Sequence, residues 1–204
     1  MSQHLRIQIW ILSAMVSFGL PLIGLSLPCF GQLATFQVSD IDDVSPNDTG
    51  FFDVYFDLTS GPVDVVGWDF ALSIDNAAAS GISFTSAELT PGGLAFANGA
   101  PAITVNTDSV SANDFDGLLT SITVPDGRTD LVRINYAVDG GASFPSIANL
   151  EFGADGANNI TDSGLSPLAD SEINAAINVV PEPSAMSLAV LGSLLLVVLP
   201  RRIL

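Results

Sequence analysis

The 204-residue sequence predicts an all-β protein, an antiparallel two-sheet β-sandwich. Three observations carry that expectation. Apolar and polar residues alternate with a period of two along several segments, turn signals separate those segments at short intervals, and almost nothing between the two apolar ends repeats with the 3.6-residue period of a helix.

In 51–58, FFDVYFDL, the residues Phe52, Val54, Phe56 and Leu58 fall on one face and Asp53 and Asp57 on the other. In 65–75, Val66, Trp68, Phe70, Leu72 and Ile74 oppose Asp69 and Ser73, and in 131–138 Val132, Ile134, Tyr136 and Val138 oppose Arg133 and Asn135. Such alternation marks strands with one buried and one wet face, the habit of antiparallel sheets. Further strand candidates are 35–40, 82–89, 102–106, 117–124, 147–152 and 173–180, about nine in all. Ser60-Gly61-Pro62, Pro91-Gly92-Gly93, Asp126-Gly127 and Gly140-Gly141 supply the turns between them. Residues 170–178 admit a helical reading, but Ile173, Ile177 and Val179 favour a last strand. Trp68 shares its face with Val66 and Phe70 and is expected in the core.

Charge narrows the partners. The chain has 22 acidic residues against five arginines and a net charge of -17. Nucleic acid is excluded, because phosphate binding needs clustered cations and this field repels polyanions. Residues 33–179 hold 21 of the acids with Arg128 and Arg133 alone as counter-charges. Such a surface attracts divalent cations without defining a site for one. The mean hydropathy of +0.49 comes from the two ends.

Residues 1–31 run from a short positive start through an apolar stretch to Pro28-Cys29-Phe30-Gly31, the three-part plan of a signal peptide. Signal peptidase is expected to cut between Gly31 and Gln32. Cleavage there removes His4 and Cys29, the only histidine and cysteine, so residues 32–179 form a body held by its core rather than by disulfides. At the other end Val180-Pro181-Glu182-Pro183 leads into sixteen uncharged residues, 184–199, followed by Pro200, Arg201 and Arg202. Sixteen helical residues rise about 24 Å, a minimal transmembrane span, with the arginines as a cytoplasmic stop. Two prolines around Glu182 discourage helix and keep the tetrapeptide extended.

Residues 180–204 resemble the PEP-CTERM sorting signal, through Val180, Pro181, Glu182, Pro183, Ser184, Ala185, the apolar run and the Arg201-Arg202 end. The resemblance implies recognition by an inner-membrane exosortase, removal of the tail, and delivery of the body to the cell surface or beyond. The FxVxFxL strand, the following VxGWxFxLxID strand and a late apolar strand resemble a cohesin or related carbohydrate-binding-module sandwich, of jelly-roll or immunoglobulin-like build.

Catalysis is limited by what the body lacks. Without histidine, lysine or cysteine, the Ser-His-Asp, Cys-His and Ser-Lys arrangements and thiolate or imidazole metal sites are unavailable. Asp48-Thr49-Gly50 and Asp162-Ser163-Gly164 mimic the paired loops of aspartic proteases, yet Asp48 follows Pro46-Asn47 rather than an apolar strand, so two turns are expected. Asn113-Asp114-Phe115-Asp116-Gly117 resembles part of a calcium loop. Ala112 and Thr123 stand where an EF-hand needs acids, which leaves a looser calcium site on Asp108, Asp114 and Asp116 as the one cofactor expectation. Phe51 and Tyr55, on the acidic face of their strand, are the exposed aromatics expected to meet a ligand. A glycoside hydrolase could use two carboxylates alone, but no pair among the 21 stands out, and the chain is expected not to be an enzyme.

The sequence thus leads to an exported, exosortase-processed surface or matrix protein, passing through the inner membrane, with a structural or adhesive sandwich around exopolysaccharide. The alternative is a cohesin-like module for a glycan or a surface protein, with calcium as an optional cofactor.

Overall fold

The computed structural model describes residues 34–59, 61–141, 146–153, 158–180 and 190–192. The expected signal peptide, the Pro181-Glu182-Pro183 motif and Arg201-Arg202 lie outside the described residues. Among the described residues no helix is long and apolar enough to cross a membrane.

Among the described residues twelve strands and one short helix follow in the order β1 (Ala34–Val38), β2 (Thr49–Leu58), β3 (Val63–Ile74), α1 (Ala77–Ser80), β4 (Ile82–Leu89), β5 (Ala102–Val105), β6 (Ser109–Phe115), β7 (Ile122–Val124), β8 (Gly127–Val138), β9 (Ser146–Phe152), β10 (Asn159–Asp162), β11 (Ala169–Glu172) and β12 (Ala175–Val179). A five-stranded sheet runs β11-β1-β2-β8-β4. A seven-stranded sheet runs β12-β9-β3-β6-β5, with β7 and β10 also paired to β3. The expected antiparallel two-sheet sandwich is observed; β1 with β11 is a parallel exception among the strand pairs.

Alternation explains which side of each strand meets the other sheet. In β2 the burial follows the sequence pattern, with Phe52, Val54, Phe56 and Leu58 inside. Phe36 sits at the centre, its ring 6.4 Å from Phe56 in its own sheet and 6.4 and 5.9 Å from Phe70 and Phe152 across the interface. These rings supply much of the apolar area that holds the sheets together without a disulfide. Trp68 is 2% exposed, stacks on Phe70, and donates its indole N–H to the Leu94 carbonyl at 3.2 Å. That bond ties the 90–101 loop to the core.

Three expectations need correction. Residues 117–124 are not one strand, since only Ile122–Val124 pairs, with β3, and Leu118 and Leu119 stand exposed. Asn113–Phe115 is not a loop but the end of β6, paired with Gly67–Asp69 of β3. A short helix, α1, follows β3 where none was expected, closed by Gly81 at φ 71°, a conformation that favours glycine.

Candidate functional site

The outer face of the seven-stranded sheet is paved with small side chains, and the register arranges them in rows. Thr104 on β5 pairs Ser111 on β6, which pairs Ala71 on β3. One row away Ala102 pairs Asn113, which pairs Asp69; on the other side Ser109 pairs Ser73, which pairs Glu151 on β9. Asp69 and Glu151 are the ionisable members of these rows. Burial among its neighbours raises the Asp69 carboxyl above the ordinary range.

The smallness of these residues leaves relief in the face. A depression of about 180 Å³ opens between β3 and β6, lined by Ala71, Ser73, Ser109, Ser111, Asn106 and Gly153. It has room for one or two incoming side chains. Two rows further along the same face Phe115 packs over Gly67, where a Cβ would clash with the ring. Phe115 keeps 46% of its surface, and the following turn presents Leu118 at 73% and Leu119 at 51%. A flat polar pavement with a pit and an apolar rim fits the anatomy of a protein-docking patch, in which a few anchors fill pockets.

Asp108, Asp114 and Asp116 do not converge. Asp108 precedes β6 and Asp114 is near its end, so the strand holds them roughly 20 Å apart. Asp114 is fully buried and accepts the Phe96 N–H at 2.9 Å, while Asp116 is 2% exposed and accepts the Leu118 N–H at 2.8 Å. Both shape loops. Among the described residues no group of three or more histidine, cysteine or acidic side chains is placed to hold a metal. Asp48 and Asp162 likewise close their own turns, accepting the Ser45 and Ser166 N–H groups at 2.7 and 2.8 Å.

Phe51 and Tyr55 both stand on the outer side of the five-stranded sheet, as the alternation of β2 requires. Each ring carries an arginine. The Arg133 guanidinium lies 4.0 Å over Phe51 and that of Arg128 4.0 Å over Tyr55. Cross-strand register between β2 and β8 creates these pairs, which the sequence pattern does not disclose.

No family model matches the chain, and no curated protein matches it. Among solved structures it is similar to the cohesin CaCohA2 from Clostridium acetobutylicum, with TM-score 0.56 and 17% identity over 76% of this chain and 95% of that one. The body has a cohesin-like fold. The sixth cohesin of Acetivibrio cellulolyticus scaffoldin B, solved in complex with a Cel5 dockerin, gives TM-score 0.52 and 18% identity over 73% of this chain and 99% of that one. A non-cellulosomal cohesin from the hyperthermophilic archaeon Archaeoglobus fulgidus gives 0.52 and 13% over 76% and 96%. At these identities the likeness establishes the cohesin-like sandwich and leaves its ligand to the surface chemistry.

Proposed function

We propose that the cohesin-like body is a protein-binding module whose partner docks on the outer face of the seven-stranded sheet. One observation carries the proposal: the pit at Ala71 lies on a face of small, mostly uncharged side chains that ends at exposed Phe115 and the Leu118 turn, within an otherwise strongly acidic chain. Burying such a face costs little desolvation of charge, while its apolar rim gains on leaving water. Several of the similar cohesins were solved in complexes with dockerins, which supports a protein rather than a small molecule as partner. The acidic surroundings favour a partner with a neutral or basic rim.

The ends of the chain add a cellular setting to this reading. Signal peptidase cuts after Gly31, an exosortase removes the tail at Pro181-Glu182-Pro183, and the body acts at the cell surface or in the matrix near exopolysaccharide. Val180, whose N–H donates to the Val44 carbonyl at 2.8 Å, ends the sandwich directly before that motif, a placement that supports a cut leaving the body whole.

The test is affinity capture of surface proteins from the source cells by the full chain, with Ala71→Arg and Phe115→Ala beside it. A partner held by the native chain and lost with Ala71→Arg supports the module. Retention of every captured protein by Ala71→Arg contradicts it.

A further inference from the structure

The outer side of the five-stranded sheet, away from the proposed protein face, carries a second and different surface. At the margins of this face two clefts, each of about 440 Å³, flank the Tyr55–Arg128 pair, their far walls completed by Ala175 and Ala176 of β12 and by Ile122 and Val124 of β7. Their size falls within the range of about 300–1,000 Å³ typical of small-ligand sites. Gln37, Ser39, Asp40, Tyr55, Ile173 and Asn174 contribute to the first. Thr123, Arg128, Thr129 and Asp130, with the bare backbone of Gly92 and Gly93, contribute to the second. Tyr55 lines one cleft, Arg128 lines the other, and the two side chains touch at 4.0 Å. Register aligns Gln37 with Tyr55 and Tyr55 with Asp130, so a polar row crosses β1, β2 and β8 from cleft to cleft.

We propose that this row and its two clefts form a groove for a neutral, linear polysaccharide. Sugar rings present hydroxyls that donate and accept together with apolar C–H faces, and they need mixed partners: amides, carboxylates, hydroxyls and an amphipathic ring. Gln37, Asp40 and Tyr55 are that set, joined by the donors of Asn174 and Ser39, whose oxygens already accept the Phe152 and Asp53 N–H groups at 3.1 and 2.9 Å. The Tyr55 hydroxyl donates to Gln37 Oε1 at 3.1 Å, which leaves the Gln37 amide N–H groups without an acceptor among the described residues. Arg128 covers one side of the ring and holds it in place, and Ile173, 52% exposed, adds an apolar wall. Two strand spacings separate β1 from β8, about 10 Å, so the ligand is a chain of several rings rather than one sugar. Charge selects against polyanions, because Arg128 is already paired with Asp130 at 2.7 Å and Asp40 adds a further negative charge.

The test is calorimetry on the full-length chain in mild detergent, with hexaoses of β-1,4-linked glucose, mannose and N-acetylglucosamine as probes and polygalacturonate as the anionic comparison. Saturable binding of at least one hexaose, with Kd at or below about 1 mM, is expected. Tyr55→Ala should weaken it about tenfold, the loss of one ring contact, while Phe115→Ala, on the other sheet, retains it. Gln37→Ala, which keeps the ring, should also weaken binding and serves if Tyr55→Ala fails to fold. Absence of saturation with all three hexaoses, indifference to both Tyr55→Ala and Gln37→Ala, or tighter binding of polygalacturonate would overturn the groove. Loss with Phe115→Ala alone would move sugar binding to the other sheet and overturn it equally.

Discussion

Arg133 grips Asp53 with two parallel hydrogen bonds across the β2–β8 register, Nε to Oδ1 at 2.8 Å and Nη2 to Oδ2 at 3.0 Å, while its guanidinium covers Phe51. Arg128 repeats the theme with Asp130 and Tyr55. Both cations of residues 33–179 are therefore committed to the outer side of one sheet. That leaves the other sheet free of basic residues and sets the two faces apart chemically.

The bidentate pair is the stronger of the two. Arg133→Lys keeps the charge but loses the fork geometry and the flat contact with Phe51. Thermal unfolding should show a lower midpoint for Arg133→Lys than for the native chain. Arg128→Lys, at an exposed pair, should change it less, since such pairs contribute about 0–1 kcal/mol.

Trp68 anchors the 90–101 loop as well as filling the core. Trp68→Ala should cost about 3–5 kcal/mol, through cavity and lost transfer energy together. Trp68→Phe retains most of the packing but leaves the Leu94 carbonyl without its donor, and should cost about 1–3 kcal/mol. Urea denaturation with a constant slope distinguishes these losses from a change in the unfolded state.

Asp69 makes the stability of the fold sensitive to pH. Its folded-state pKa is raised by burial, so the folded chain holds the proton more tightly than the unfolded one. In that case stability is lost as pH rises from the ordinary carboxylate pKa through the raised one, and it is regained on acidification. Asp69→Asn removes the penalty. Its midpoint should exceed that of the native chain at neutral pH, and the difference should close at acidic pH; a gap that widens on acidification would contradict the assignment.

Asp114 packs one carboxylate oxygen against the Cα of Gly99 and accepts the Phe96 N–H with the other. Gly99→Ala would press a methyl into that oxygen and should cost about 1–3 kcal/mol. Because Asp108 stands at the far end of β6, calcium or a chelator should leave the thermal midpoint unchanged. A calcium-dependent rise would restore a metal site that the register argues against.

The sandwich was legible because β2, β3 and β8 alternate large apolar residues with polar ones over 8 to 12 positions. β6 was not. Its inward residues are Val110, Ala112 and Asp114, and a buried carboxylate breaks the pattern that marks a strand. The same carboxylate, read beside Asp116 and Gly117, imitates a calcium loop. β10 and β11 are four residues each and largely polar, too short for a period to emerge. The outward placement of Phe51 and Tyr55 followed from their strand face, but the arginines over them, and the half-burial of Tyr55 where Phe51 is exposed, required the register. The Ala71 pit had no local signal, since alanine, serine and glycine become a surface only when sheet order places β5, β6, β3 and β9 together.

A bulky thiol-reactive label placed at two matched sites tests the proposed docking face most directly. On the full chain bearing Cys29→Ser, one label is attached at Ser111→Cys beside the pit and another at Ser86→Cys on the opposite sheet, and binding of the captured partner is titrated. The account predicts that the label at 111 blocks the partner and the label at 86 does not. Equal binding by both labelled proteins, or a block at 86 alone, would contradict it.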